Sequence, residues 1–141
     1  MGNSAPERET APHIECIVPI LRVENLAASA RYYRDVLGFS LDWGDAETDD
    51  MVSVSRNDHA IMLCQGGQGQ PGTWIWIGVD DIVPLFADLQ RKGVRFLQPP
   101  TERPWAYEMQ IVDPDGHVLR FGSDPIGAAG RAERSERDRS K

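Results

Sequence analysis

The chain has 141 residues, 40% of them apolar and 26% charged, with a formal net charge of −7 at pH 7. That length accommodates one domain with its own core, and the composition is that of an ordinary globular protein. No apolar run approaches the roughly 20 residues that cross a bilayer, and an acidic body repels phosphate backbones, so membrane and nucleic-acid partners are not expected.

Residues 1–12 are polar and lack the apolar stretch of a secretory signal, which predicts a flexible N-terminal segment on a cytoplasmic protein. Residues 127–141, rich in Arg, Glu and Ser from Arg131 onward, read as a disordered charged tail. A single domain is expected over 13–126, with modules at about 13–65 and 73–123. Cys16 and Cys64 each sit in an apolar segment without a CxxC spacing, so both are expected to be reduced, buried side chains.

In chain order, the nearly continuous apolar run at 15–23 predicts a strand buried on both faces. Asn25 then offers a helix N-cap; Leu26, Ala30, Tyr33 and Leu37 form one apolar stripe, and Gly38 ends the helix in a left-handed conformation. Three short strands follow, at 39–43, 51–55 and 60–64, separated by Asp-rich or Asn57-Asp58 turns. The Gly- and Pro-rich stretch 65–72 reads as a flexible connector.

The same order then recurs. A strand at 74–79 leads to the capping Asp81 and a helix with Ile82, Phe86 and Leu89 on one face and Pro84 in its first turn, stopping at Gly93. Strands are predicted near 94–97, 107–112 and 118–121, the last two joined by a turn at Asp113-Pro-Asp-Gly116. Leu21-Arg-Val-Glu-Asn-Leu26 aligns with Ile77-Gly-Val-Asp-Asp-Ile82, and His59-Ala-Ile-Met-Leu63 with His117-Val-Leu-Arg-Phe121. The chain therefore reads as a duplicated βαβββ unit of the α+β class.

The motifs Val18-Pro-Ile-Leu-Arg-Val-Glu-Asn-Leu26, Tyr32-Tyr33-Arg-Asp-Val-Leu-Gly-Phe39, Val79-Asp-Asp-Ile82 with Gly93-Val94, and Asp113-Pro-Asp-Gly-His-Val-Leu-Arg-Phe121 occur in that order over about 14–123. On them the chain resembles the vicinal oxygen chelate superfamily of glyoxalases, extradiol dioxygenases and bleomycin-resistance proteins. The resemblance implies two βαβββ modules with mixed sheets curled around a central cup. In metal-dependent members it also implies four ligands, whose places hold Val18, Met62, Trp74 and Arg120 here. Val and Trp offer no coordinating atom, a thioether is soft, and a guanidinium is already cationic, so no metal or other cofactor is expected. His13, His59 and His117 are read as exposed polar residues of the N-terminal approach and of two hairpin turns.

Strand alternation puts Val18, Ile20 and Arg22, Trp74 and Trp76, and Ala60, Met62 and Cys64 on the cup side. Leu21, Val23, Ile61, Leu63, Ile75, Ile77, Leu119 and Phe121 belong under the helices. Trp43, Trp105 and Tyr107 are expected at the rim. Aromatic side chains around the single cation Arg120 suit a flat organic ligand with an anionic or carbonyl group. Two packing alternatives stand beside this: the tryptophans plug the cup or an interface, and Arg120 pairs with Glu108.

Glu108 and Tyr107 are weak catalytic candidates, and Cys64 has no activating His nearby. The resemblance to the bleomycin-resistance branch implies a metal-independent binder that sequesters an aromatic or glycopeptide antibiotic. The alternative is a glyoxalase- or dioxygenase-like lyase or isomerase with non-standard or absent metal ligands. Open strand edges and an aromatic face favour a homodimer.

Overall fold

The computed structural model describes residues 11–125. Most of the expected N-terminal segment, and all of the charged tail, lie outside the described residues. The first module contains β1 (Ile20–Arg22), helix α1 (Leu26–Arg31) continued by a π-helical turn (Tyr32–Val36), β2 (Ser40–Trp43), β3 (Met51–Arg56) and β4 (His59–Cys64). The second contains β5 (Trp74–Gly78), α2 (Ile82–Arg91), β6 (Arg95–Glu102), β7 (Tyr107–Val112) and β8 (Val118–Ser123). Each module forms one four-stranded mixed sheet, in the orders β1-β4-β3-β2 and β5-β8-β7-β6.

The duplication extends to register. In the parallel pair of the first sheet Leu21 lies opposite Leu63, and in the second Ile77 lies opposite Phe121. These are the residues that the internal sequence repeat aligns. Caps and stops also follow the sequence. The Asn25 side chain accepts from the Ala28 amide at 2.9 Å and Asp81 from that of Val83 at 3.0 Å. Gly38 and Gly93 take φ values of 77° and 73°, a conformation that β-carbons disfavour and helix ends use. The π-turn, closed by the Leu37 amide donating to Tyr32 O at 3.2 Å, left no trace in the 3.6-residue periodicity.

The core forms where each helix covers one sheet face: α1 packs on β3 and β4, α2 on β6, β7 and β8. Leu21, Val23, Ile61, Leu63, Leu119 and Phe121 are buried there, with Tyr33, Val52, Val54, Met109 and Ile111. Ile75 and Ile77 pack against that cluster while half-buried.

Three expectations are corrected. The first strand is only three residues long because only Ile20–Arg22 finds partners, on Met62–Cys64. Upstream of it Ile14 and Ile17 are 83% and 85% exposed and Cys16 is exposed, so of the two free cysteines only Cys64 is buried. β6 runs on to Glu102 through Pro99 and Pro100; it is an edge strand, and its register on β7 slips between Gln98 and Thr101, so the two prolines fall at a bulge rather than in the regular ladder.

The third correction concerns His117, which is fully buried whereas its repeat partner His59 is exposed. Asn57 and Asp58, both at positive φ, make a two-residue hairpin turn. The equivalent turn is longer, with Asp113 N–H donating to His117 O at 2.9 Å across Pro114, Asp115 and Gly116. The longer turn reaches into the first module. Tyr33 OH donates to Asp113 at 2.7 Å, the Glu24 amide to Asp115 at 2.8 Å, and Ser29 OH to the other Asp115 oxygen. His117 Nδ1 accepts from the Thr73 amide at 3.0 Å, so Nε2 carries the proton and donates to Arg22 O at 2.6 Å. Asp113-Pro-Asp-Gly-His117 is thus a turn by local chemistry and a fastener between modules by its side chains.

Candidate functional site

On the second sheet, alternation turns one set of side chains away from α2. Register aligns Trp76, Arg120, Gln110 and Gln98 across β5, β8, β7 and β6 in one row. The neighbouring row holds Gly78, Gly122, Glu108 and Thr101. Trp76 folds flat over the sheet: its six-membered ring lies on Gly122, occupying the space that a β-carbon there would need. The Arg120 guanidinium sits 5.2 Å from the Trp76 ring centroid, within cation–π range.

Glu108 is the buried anchor of this surface, 2% exposed. Arg120 Nη2 donates to its Oε1 at 2.8 Å, and Arg103 Nε stands 3.9 Å from Oε2. A carboxylate so placed orients the guanidinium, which leaves Glu108 positioned as a counterion to Arg120 rather than as a free acid or base. Two donors of the Trp76 row, Arg120 Nε and the Gln98 amide nitrogen, are buried without a hydrogen-bond partner. Unpaired buried donors are costly and uncommon, and both of these lie beneath the open face rather than on it. Gln110 lies in the predicted strand 107–112, but Gln98 lies beyond the strand predicted at 94–97, and the register that brings both into line with Arg120 is set by the neighbouring strands.

The other predicted residues separate. Trp74 is 57% and Trp76 49% exposed on this face. Trp105 is 61% exposed and lies in the β6–β7 connection. Tyr107 faces the helix side and packs against the core, the parity opposite to its neighbour Glu108. Val18 and Met62 are half-buried on the first module, with Ile20 opposite Met62. Trp43, 48% exposed, ends β2 opposite Ser53. A small cleft of about 220 Å³ lies elsewhere, at the module junction between Arg22, Val23, Glu24, Pro71 and Asp115. It is smaller than pockets that enclose drug-sized ligands, and it belongs with the fastener turn.

The four-ligand metal centre known from metal-dependent relatives does not fit these residues. Val18 and Trp74 supply no donor atom, and Arg120 is a cation already paired with Glu108. Among the described residues no three His, Cys, Asp or Glu side chains gather in a way that holds a metal ion. Nor is any helix among them long and apolar enough to cross a membrane.

Residues 10–121 match the family model of the Glyoxalase/Bleomycin resistance protein/Dioxygenase superfamily. No curated protein matches the chain by sequence. Among solved structures, TioX from Micromonospora sp. ML1 is similar with a TM-score of 0.71 at 17% identity, covering 79% of this chain and 99% of its own. The bleomycin-binding protein from bleomycin-producing Streptomyces verticillus, solved with copper(II)-bleomycin, gives 0.67 at 25% identity over 80% and 98%. TnmS3, an antibiotic binding protein from Streptomyces sp. CB03234, gives 0.68 at 20% identity over 82% and 98%. With the family model spanning both modules and the same fold in these neighbours, the chain belongs to the Glyoxalase/Bleomycin resistance protein/Dioxygenase superfamily.

Proposed function

We propose that this protein binds a small planar organic molecule without a metal of its own and acts by sequestering it; the names of the bleomycin-binding protein, solved with copper(II)-bleomycin, and of the antibiotic binding protein TnmS3 state binding of such compounds for those proteins. The observation that carries the reading is the row Trp76, Arg120 and Gln98. It offers a flat, half-exposed ring and an oriented, one-third-exposed cation with a neighbouring amide, and so suits an aromatic body bearing a carbonyl or carboxylate. Trp74, and Trp105 at the edge, extend the stacking surface.

The working unit in this reading is a homodimer. Leu41 and Leu97 are each about half exposed, and a second copy would cover them while closing the open cup. Sedimentation at micromolar concentration tests this; a monomer would remove that part of the proposal.

Tryptophan fluorescence of metal-stripped protein, titrated with bleomycin and with planar aromatic acids, tests the binding. Saturable quenching is expected, weakened about tenfold or more in Arg120→Ala, and for the planar acids, which unlike bleomycin do not carry the metal themselves, unaffected by added divalent metal. Binding or turnover that appears only after metal is restored would replace this reading with an enzymatic one.

A further inference from the structure

The first module carries a recognition feature of opposite sign. β2 and β3 pair regularly at Ser40 with Ser55 and Leu41 with Val54, then the register jumps so that Trp43 stands opposite Ser53. Asp42 is the extra residue of a β-bulge, a device that sets two residues of one strand against one of the next. Its carboxylate reaches two serines on one face of β3: Ser55 Oγ donates to Oδ1 at 2.6 Å and Ser53 Oγ to Oδ2 at 3.0 Å. Val52 and Val54, which alternate with these serines, are buried under α1, so the serines and the carboxylate lie on the face turned away from the helix.

The hydroxyls fix the carboxylate without neutralising it. Each oxygen receives one neutral donor and retains acceptor capacity, and among the described residues no cation forms an ion pair with Asp42. The adjoining Trp43 indole is half exposed. A held anion beside an open indole supplies both attractions an organic cation uses, charge and the negative face of the ring. The net charge of −7 adds a long-range field of the same sign.

We infer that Asp42, held by Ser53 and Ser55 beside Trp43, forms a subsite for an ammonium or amidinium group on an aromatic ligand. This deepens the proposed binding function by giving the ligand class a cationic end, but the residues are separate from Arg120 and Gln98.

The test is calorimetric titration of the full chain with 9-aminoacridine, a planar cation at neutral pH, and with anthracene-2-carboxylate, a planar anion. Asp42→Asn keeps the shape and removes the charge; it should weaken the cation about tenfold and leave the anion unchanged, and Trp43→Ala should weaken the cation as well. Cation affinity of the unaltered protein should also fall as salt rises from about 0.05 to 0.5 M, a measurement that needs no variant. Equal affinity of Asp42→Asn and the parent for the cation, or a cation affinity insensitive to salt, would overturn the subsite. Loss of anion binding in Arg120→Ala reads on the second module alone, so the two readings fail separately.

Discussion

The Trp76 ring rests on Gly122 so closely that no β-carbon fits at that position. The two residues lie on neighbouring strands, and the glycine floor is what allows an indole to lie flat against the sheet with Arg120 beside it. Gly122→Ala is therefore expected to swing the outer edge of the indole away. Because Trp76 is half exposed, the stability cost should stay within about 1 kcal/mol, below the usual range for overpacking in a closed core. Its emission should shift to longer wavelength and the contact with Arg120 should be lost. Unchanged emission would show that the ring does not depend on the glycine.

Glu108→Gln removes the charge that Arg120 faces. Breaking a fully buried pair costs about 3–5 kcal/mol, but the Arg120 side chain is one-third exposed, so about 1–3 kcal/mol is expected in urea unfolding at pH 7. A double-mutant cycle with Arg120→Met should recover most of that loss. A change below about 0.5 kcal/mol for Glu108→Gln would mean that the pair is not a structural anchor.

His117→Ala empties a site that bridges the modules and leaves the Thr73 amide and Arg22 carbonyl without their partners. Stranded polar groups cost about 1–3 kcal/mol each, and about 3 kcal/mol in total is expected by chemical denaturation. His59→Ala, at the exposed equivalent position, should be neutral within about 0.5 kcal/mol. Equal effects of the two would contradict the fastening role.

Alkaline pH should unfold the protein through two tyrosines. Burial first, and the negative charge of Asp113 second, push the Tyr32 phenol up to about 12 and the Tyr33 phenol well above its ordinary value. Both groups ionise near 10 in the unfolded chain. Above that pH the unfolded state binds fewer protons than the folded one, so stability falls as pH rises and is complete below about 10. Urea midpoints from pH 8 to 11.5, about the range where phenols begin to ionise, should decline, and less steeply in Tyr33→Phe. A flat profile would show that these phenols are not protected.

Much of this was legible in the sequence because periodicity and caps are local. Leu26, Tyr33 and Leu37 share a stripe, Asn25 and Gly38 punctuate it, and the alternation of Ile75 and Ile77 with Trp74 and Trp76 separates core from open face. What was not legible depends on neighbours distant in sequence. The apolar run through Cys16 and Ile17 resembles a buried strand, but no strand among the described residues pairs with it. His117 lies beside turn-forming residues that locally imply exposure, and only the approach of Arg22 and Thr73 buries it. Asp42 looks like one of several acidic residues before a turn; the bulge that aims it at Ser53 and Ser55 is a property of strand register. The type of Tyr107 suggests the rim, while its parity with Met109 turns it to the helix side, where it packs half-buried against the core.

The two hairpin turns differ in what they permit. At Asn57-Asp58 the chain turns back in two exposed residues, whereas the turn from Asp113 to His117 is tied into the other module. A duplication that began with interchangeable halves has left one place where the polypeptide can be opened and another where it cannot. New termini or a guest sequence introduced between Asn57 and Asp58 should be accepted with the fold intact, and the same graft at Asp115 should separate the modules, a contrast that circular permutants followed by thermal unfolding would reveal.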